Sequence, residues 1–266
     1  MFRKFLKVAV LPALLGFFAC SDDKTGGVTI DDNAVMAEGS SSSKAPDEID
    51  VVIGENLWNG TVGDCKVKTD SDESGYWYIW SDDVDGGASR IEFPVAIGND
   101  YSNDVYEPVI DECKGFCGTI EFGNTPNPEA GVGFLVADYG KTADISSWGG
   151  LCITYSSDVP LRISIVSELT DNSDIKSMPQ IYLPSSLQAD ASESTITQCA
   201  RWHDFSYSPQ PSDTIFGDDV VVKAKAIVFA FIGSSSETKK FNIKVVGTYD
   251  ESLPQISVQP EKGSAN

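Results

Sequence analysis

The chain has 266 residues, with 40 acidic against 19 basic side chains and a formal charge of −21. A surface this acidic repels phosphate backbones and anionic headgroups, which excludes nucleic acid as a partner and leaves neutral polysaccharides compatible. With a single histidine, His203, and no second CxxC-type pair, the six cysteines do not complete the four ligands of a zinc centre.

Residues 1–7 carry Arg3, Lys4 and Lys7, and residues 8–19 form an apolar run interrupted only by Pro12 and Gly16. A cationic start followed by about a dozen apolar residues describes a secretory signal, since a membrane span needs ~20. Phe17-Phe-Ala-Cys20 and the following Ser21, Asp22 and Asp23 resemble a bacterial lipoprotein signal, in which the cysteine after the cut receives lipid. The resemblance implies lipidation of Cys20; the alternative is an ordinary signal peptide with a chance cysteine. No second apolar stretch approaches spanning length, so membrane attachment would come through that lipid alone. Ser21 differs from the Asp that marks inner-membrane retention, and Asp22-Asp23 resemble acidic surface-export tags. An outer-membrane lipoprotein, facing the cell surface or the periplasm, is the expected location.

Residues 20–56 read as an acidic, Ser-rich tether with few large apolar side chains to offset chain entropy. Extended, such a segment reaches ~120 Å at ~3.3 Å per residue. From 57 to 250 the texture is that of one β domain, and 251–266 read as a loose tail. Runs at 76–80, 90–93, 118–122, 131–136, 151–155, 161–166, 220–231 and 241–246 are rich in Val, Ile, Phe, Tyr and Trp, bounded by Gly, Pro, Asn, Asp or Ser. This punctuation predicts an all-β fold, a two-sheet antiparallel β-sandwich. No segment shows sustained helical periodicity. Residues 226–232 are continuously apolar, as a central strand covered on both faces would be; the alternation from Phe241 predicts a half-exposed last strand.

With Cys20 lipidated, five cysteines remain in an oxidising compartment, so one lacks a partner within the chain. Cys113 and Cys117 can close a tight loop, with Gly115 permitting the turn, and Cys65 with Cys199 can pair over a long distance. The sequence leaves the connectivity open.

Several segments share their order with a known family. Trp80-Ser-Asp-Asp-Val-Asp-Gly-Gly-Ala-Ser89, Gly131-Val-Gly-Phe134, Asp144-Ile-Ser-Ser-Trp-Gly-Gly-Leu-Cys-Ile-Thr-Tyr155 and Trp202-His-Asp-Phe205 resemble successive motifs of galactose-binding-like jelly rolls, a group rich in carbohydrate-binding modules. Gly75-Tyr-Trp-Tyr78 and the segments 108–118 and 149–158 are similar to acidic, often lipid-anchored modules of fibre-degrading gut bacteria. The resemblance covers about 75–247 and implies a jelly roll that binds polysaccharide or accompanies enzymes that degrade it. Many calcium-binding relatives end with an acid near the last strand; residues 241–247 contain none.

Sugar binding needs aromatic surfaces for the CH faces of a pyranose and polar groups for its hydroxyls. On a strand Tyr76, Tyr78 and Trp80 share one face, while Trp77 and Ile79 share the other. The family's Gly-x-Trp pattern implies that Trp77 is core, leaving Tyr76, Tyr78 and Trp80 as ligand candidates. The alternative is that all four brace the sandwich. Trp148, before a Gly-Gly turn, caps a sheet edge or lines a groove; Trp202 reads as core. Arg90 and Arg162 either pair with neighbouring acids or orient a ligand through bidentate hydrogen bonds. Asp82, Asp83 and Asp85, with Gly86-Gly87 and Ser89, form the densest oxygen cluster. They are candidates for a structural calcium ion or, as the favoured reading, a turn between strands. No cofactor is required otherwise. His203 reads as solvent-facing or capping, because Gly-x-Ser-x-Gly is absent.

The expectation is therefore a lipid-anchored, non-catalytic carbohydrate-binding module for plant-type polysaccharide of the cellulose or hemicellulose class. The alternatives are an envelope lipoprotein that contacts a protein partner and a glycoside hydrolase or its accessory.

Overall fold

The computed structural model describes residues 53–170, 177–187, 194–210 and 212–252, without the side chains of residues 84 and 85. The proposed signal, Cys20, most of the tether and most of the C-terminal tail lie outside the described residues. Among these residues no helix is long and apolar enough to cross a membrane.

Two antiparallel sheets face each other in a β-sandwich of jelly-roll type. One holds β3 (Arg90–Glu92), β4 (Phe116–Glu121), β13 (Thr238–Thr248), β6 (Gly150–Ser157) and β9 (Ile196–Arg201) in that order, with β1 (Asn56–Asn59) also on β13. The other runs β11 (Asp213–Phe216), β10 (Ser206–Gln210), β8 (Gln180–Leu183), β7 (Leu161–Ser167), β12 (Ala224–Ile232), β5 (Glu129–Leu135) and β2 (Trp77–Ser81). The continuously apolar β12 lies between β5 and β7, and residues 226–231 are buried. β13 is last in sequence yet central in its sheet. Its first half pairs with β4 and its last residues with β1, while β6 occupies the other edge. Its alternation reflects an inner face in the core and an open outer face.

The core is aromatic. Trp77 meets Trp58, Phe116 and Phe134 at ring-centroid distances of 4.8, 5.1 and 5.4 Å. Edge-on and tilted contacts of this kind contribute ~0.5–1.5 kcal/mol each beyond area burial. Trp202 is also buried, its Nε1 donating to Ile145 O at 3.2 Å.

The structure corrects several expectations. Gly54 N–H donates to Thr248 O at 3.0 Å, and β1 begins at Asn56, so the folded part takes in residues assigned to the tether. A helix, α1 (Glu107–Cys113), precedes β4, burying Val109 and Ile110. Seven residues are too few to display helical periodicity, although Pro108 in the first turn and Glu107 beside it are start signals. Residues 220–223 continue the short helix α2 (Gly217–Val220) into a 3-10 turn rather than beginning β12. Cys113 and Cys117 are bonded, joining the end of α1 to β4. The turn between them is made by Lys114, at φ 50°. Gly115 serves another purpose: a Cβ there would sit 2.1 Å from Asn242 Oδ1 and 2.6 Å from Ile243 O on β13. Cys199 bonds to Cys152, its cross-strand neighbour, not to Cys65. Among the described residues no cysteine is free; the expectation of one unpaired thiol presupposes lipid on Cys20, which lies outside them.

Candidate functional site

Side chains alternate along a strand, so positions that do not enter the core line an outer face. In the seven-stranded sheet the core takes Trp77, Val132, Phe134, Ile163, Ile165, Ile227 and Phe229. The intervening positions form two rows across five strands. Trp80 lies opposite Gly131, Gly131 opposite Ala230, Ala230 opposite Arg162, and Arg162 opposite Tyr182. Tyr78, Gly133, Val228, Ser164 and Gln180 make the second row in the same way. Four strand spacings of ~4.8 Å give each row a length of ~19 Å.

The two glycines of β5 decide how the aromatic rings lie. A Cβ at Gly133 would stand 2.7 Å from the Tyr78 ring and hydroxyl, and one at Gly131 would stand 2.8 Å from Trp80 Nε1. Both rings therefore lean inward over bare β5 backbone. Burial holds the Tyr78 phenol well above its ordinary pKa, so it stays a neutral hydroxyl. At the far end of the row Tyr182 is 57% exposed, and Gln180 Nε2 donates to its hydroxyl at 3.5 Å.

Between these ends the floor is polar and desolvated. Arg162 Nη2 and Nη1 donate to Glu129 Oε2 and Oε1 at 2.6 and 3.3 Å, and both side chains are buried. Such a pair offsets its own desolvation only when its geometry is good, so it is weak evidence of stabilisation. Trp80 Nε1, Arg162 Nε, Ser164 Oγ and Gln180 Oε1 are buried without a hydrogen-bond partner. Each such group costs ~1–3 kcal/mol. Of seven unpartnered buried side-chain atoms among the described residues, these four lie on this one face. These four atoms lie on the same face of the sheet as the rings of Tyr78 and Trp80.

Tyr76 continues the same face at its β2 end, beside Leu135, whose carbonyl accepts from Gly75 N–H at 2.8 Å. Lys66 Nζ lies 5.5 Å from its ring centroid. Burial, then Asp104, Glu73 and Asp72, raise its phenol pKa.

The structure thus brings Tyr76, Tyr78, Trp80 and Arg162 together. It places Arg90 and Trp148 elsewhere: Arg90 is on β3 of the other sheet, and Trp148 is in the turn that leads into β6 of that sheet. Arg90, on β3, pairs with Glu121 and, at 3.4 Å, with Glu92. Trp148 ends the turn before β6 and packs against the core.

Asp82 accepts from Ser89 N and Oγ, both at 2.9 Å, and from Glu129 N at 3.2 Å. It clasps the Asp82–Asp85 turn to the start of β5 and so positions Glu129. Asp83 accepts from Ser81 Oγ at 2.9 Å; the side chain of Asp85 lies outside the described set. Both Asp82 oxygens accept hydrogen bonds from this chain, which fits a turn clasp rather than a calcium ligand. Among the described residues no three His, Cys, Asp or Glu side chains are grouped to hold a metal. His203 is exposed, stacked on Phe216 at 4.5 Å, with Nδ1 3.1 Å from Asp218 Oδ2.

Sequence reasoning missed Glu129, Ser164, Gln180 and Tyr182. Two signals were there: Arg162 and Ser164 are the polar exceptions at alternating positions of the apolar run 161–166, and 180–183 alternates Gln-Ile-Tyr-Leu.

No protein-family model matches the chain, and no curated protein matches it. Among solved structures it is similar to the family 11 carbohydrate-binding module of the cellulosomal cellulase Lic26A-Cel5E of Clostridium thermocellum, at 14% identity over 75% of this chain and 98% of that one, TM-score 0.40. It is also similar to a family 11 module from the same organism in complex with a beta-1,3-1,4-mixed-linked tetrasaccharide, at 15% identity over 70% and 97%, TM-score 0.35. A third likeness is to an agarase, AgWH50C, at 8% identity and TM-score 0.36, where 74% of this chain matches 26% of the enzyme.

Proposed function

We propose that this domain is a non-catalytic polysaccharide-binding module that holds a neutral glycan across the outer face of the seven-stranded sheet. The observation that carries the reading is the coincidence, on one face, of two rings laid over a glycine strand and four buried polar atoms without partners. The rings cover apolar sugar faces, and the unpartnered atoms hydrogen-bond hydroxyls. The occupant is a plant-type glycan of the cellulose or hemicellulose class, as the resemblance to carbohydrate-binding modules of fibre-degrading gut bacteria implies. A binding role without hydrolysis is supported by the carboxylates. Glycoside hydrolysis uses two flanking the scissile bond, whereas the two described rows carry none and the adjoining Glu129 is bound to Arg162.

Affinity electrophoresis on soluble glucans, xylans and mannans and pull-down on insoluble cellulose test it. Retention by one class, lost in Trp80→Ala with circular dichroism unchanged, is the expected result; no retention on any of them refutes it.

Cys20 and the segment after it extend the proposal: the domain is displayed from an outer membrane by lipid on Cys20, at the end of an acidic tether. Detergent-phase partitioning that disappears in Cys20→Ser is expected. Partitioning unchanged in that variant refutes the anchor without touching the glycan reading.

A further inference from the structure

The face built around Tyr78 and Trp80 opens at its β2 end into a cavity of about 550 Å³. Leu135, Tyr76, Tyr139, Asn103 and Glu73 are among the residues that line it. Tyr139 is 74% exposed and makes no ring or hydrogen-bond contact among the described residues. Its turn is nevertheless held. Lys141 N–H donates to Asp138 O at 2.9 Å, Lys141 Nζ donates to Asp138 Oδ2 at 2.7 Å, and Ser71 Oγ donates to Asp138 Oδ1. Asp138 therefore ties the turn that presents Tyr139 to the loop that carries Glu73. An aromatic ring held out of the core on a braced turn contributes little to folding and offers a flat surface to a ligand. The Asn103 amide and Glu73 carboxylate likewise make no side-chain hydrogen bond among the described residues. They supply donors and acceptors to a cavity that Leu135 and two tyrosines also line.

The geometry points to an additional subsite here, for one neutral pyranose ring beyond those on the sheet. Tyr76 and Tyr139 flank the ring, Leu135 lies beneath it, and Asn103 and Glu73 bind its hydroxyls. The inference rests on the sheet face being the glycan site. Tyr76, the residue before β2, stands ~6.6 Å from Tyr78 along the extended chain, at ~3.3 Å per residue, about one ring away. A neutral ring is favoured over a uronate because Asp104, Glu73 and Asp72 place negative charge around Tyr76, where burial first and then these carboxylates raise the phenol pKa. The ring arrives either as the end of a longer linear chain or as a branch on a chain lying across the sheet.

Titration calorimetry on the secreted chain separates these sources. The ligands are linear β-1,4-gluco-oligosaccharides of three to six units and a xylose-branched oligosaccharide of matched backbone length. Tyr139→Ala and Asn103→Ala, both at exposed positions, are each expected to lose about tenfold in affinity for ligands that reach the cavity and nothing for the shortest. A loss confined to the longest linear ligands assigns a chain end, and a loss confined to the branched one assigns a branch. If both variants bind every ligand as wild type does while Trp80→Ala binds none, the subsite is wrong and the sheet-face reading stands. If wild type binds none of these ligands, the subsite is overturned for them; the broader glycan panel then decides the sheet-face reading separately.

Discussion

Replacing Glu129 by Ala removes both acceptors of a guanidinium that is almost fully buried. Arg162 makes its two hydrogen bonds to that carboxylate alone, and its Nε already has no partner. An uncompensated buried charge of this kind costs ~3–5 kcal/mol. For a domain of this size each kcal/mol lowers Tm by ~2–4 °C, so the expected fall is ~6–20 °C. Adding Arg162→Met removes the charge and substitutes a flexible apolar chain of similar length. The double variant is expected to recover to within ~1–2 kcal/mol of wild type, since the pair faces outward and core packing is untouched. Chemical denaturation of the two variants and wild type gives these differences directly, with equal m-values as the check on two-state behaviour. The double variant should also lose glycan affinity while remaining folded, because the polar floor is gone. If Glu129→Ala costs less than about 1 kcal/mol, the guanidinium reaches water and the face is not desolvated. The unpartnered atoms beside it are then solvated too and no longer support a glycan on this face.

Other consequences are independent of that pair. Tyr182→Ala, at an exposed position, is expected to weaken glycan binding with Tm unchanged, whereas Trp77→Ala should cost ~3–5 kcal/mol of stability through the core cavity it leaves; thermal melts beside affinity gels distinguish them. Burial raises the phenol pKa of Tyr78 and Tyr155 in the folded chain. Their contribution is thus complete below pH ~10, where the unfolded chain also keeps its protons, and is lost as pH rises beyond it. Tyr78→Phe should flatten the alkaline decline in denaturation midpoint, and an unchanged slope would remove burial as its cause. The Cys152–Cys199 bridge closes a loop with a sequence separation of 47. Its loss in a Cys152→Ser, Cys199→Ser variant is expected to cost about 4 kcal/mol by chain entropy, read as a lower denaturation midpoint.

Much of this protein is legible in local chemistry. The alternation along 76–80 separates Trp77 from Tyr76, Tyr78 and Trp80 because successive side chains on a strand must point to opposite faces, and the structure keeps that division. The apolar run at 226–232 announces a central strand, and the structure sets it between β5 and β7. The short helix α1 and strand β8 escape notice because seven and four residues are too few to establish a period.

What a one-dimensional pattern could not supply is which distant strands become neighbours. Only pairing across β5, β12, β7 and β8 sets Trp80 in one row with Arg162 and Tyr182, and Tyr78 in the next with Ser164 and Gln180. The same pairing sends Arg90 to the opposite sheet, and Cys199 to Cys152 on the strand beside it. Composition and alternation determine that side chains share a face of their own strand; hydrogen-bond register between strands, a property of the folded sheet alone, decides which of those faces join into a site.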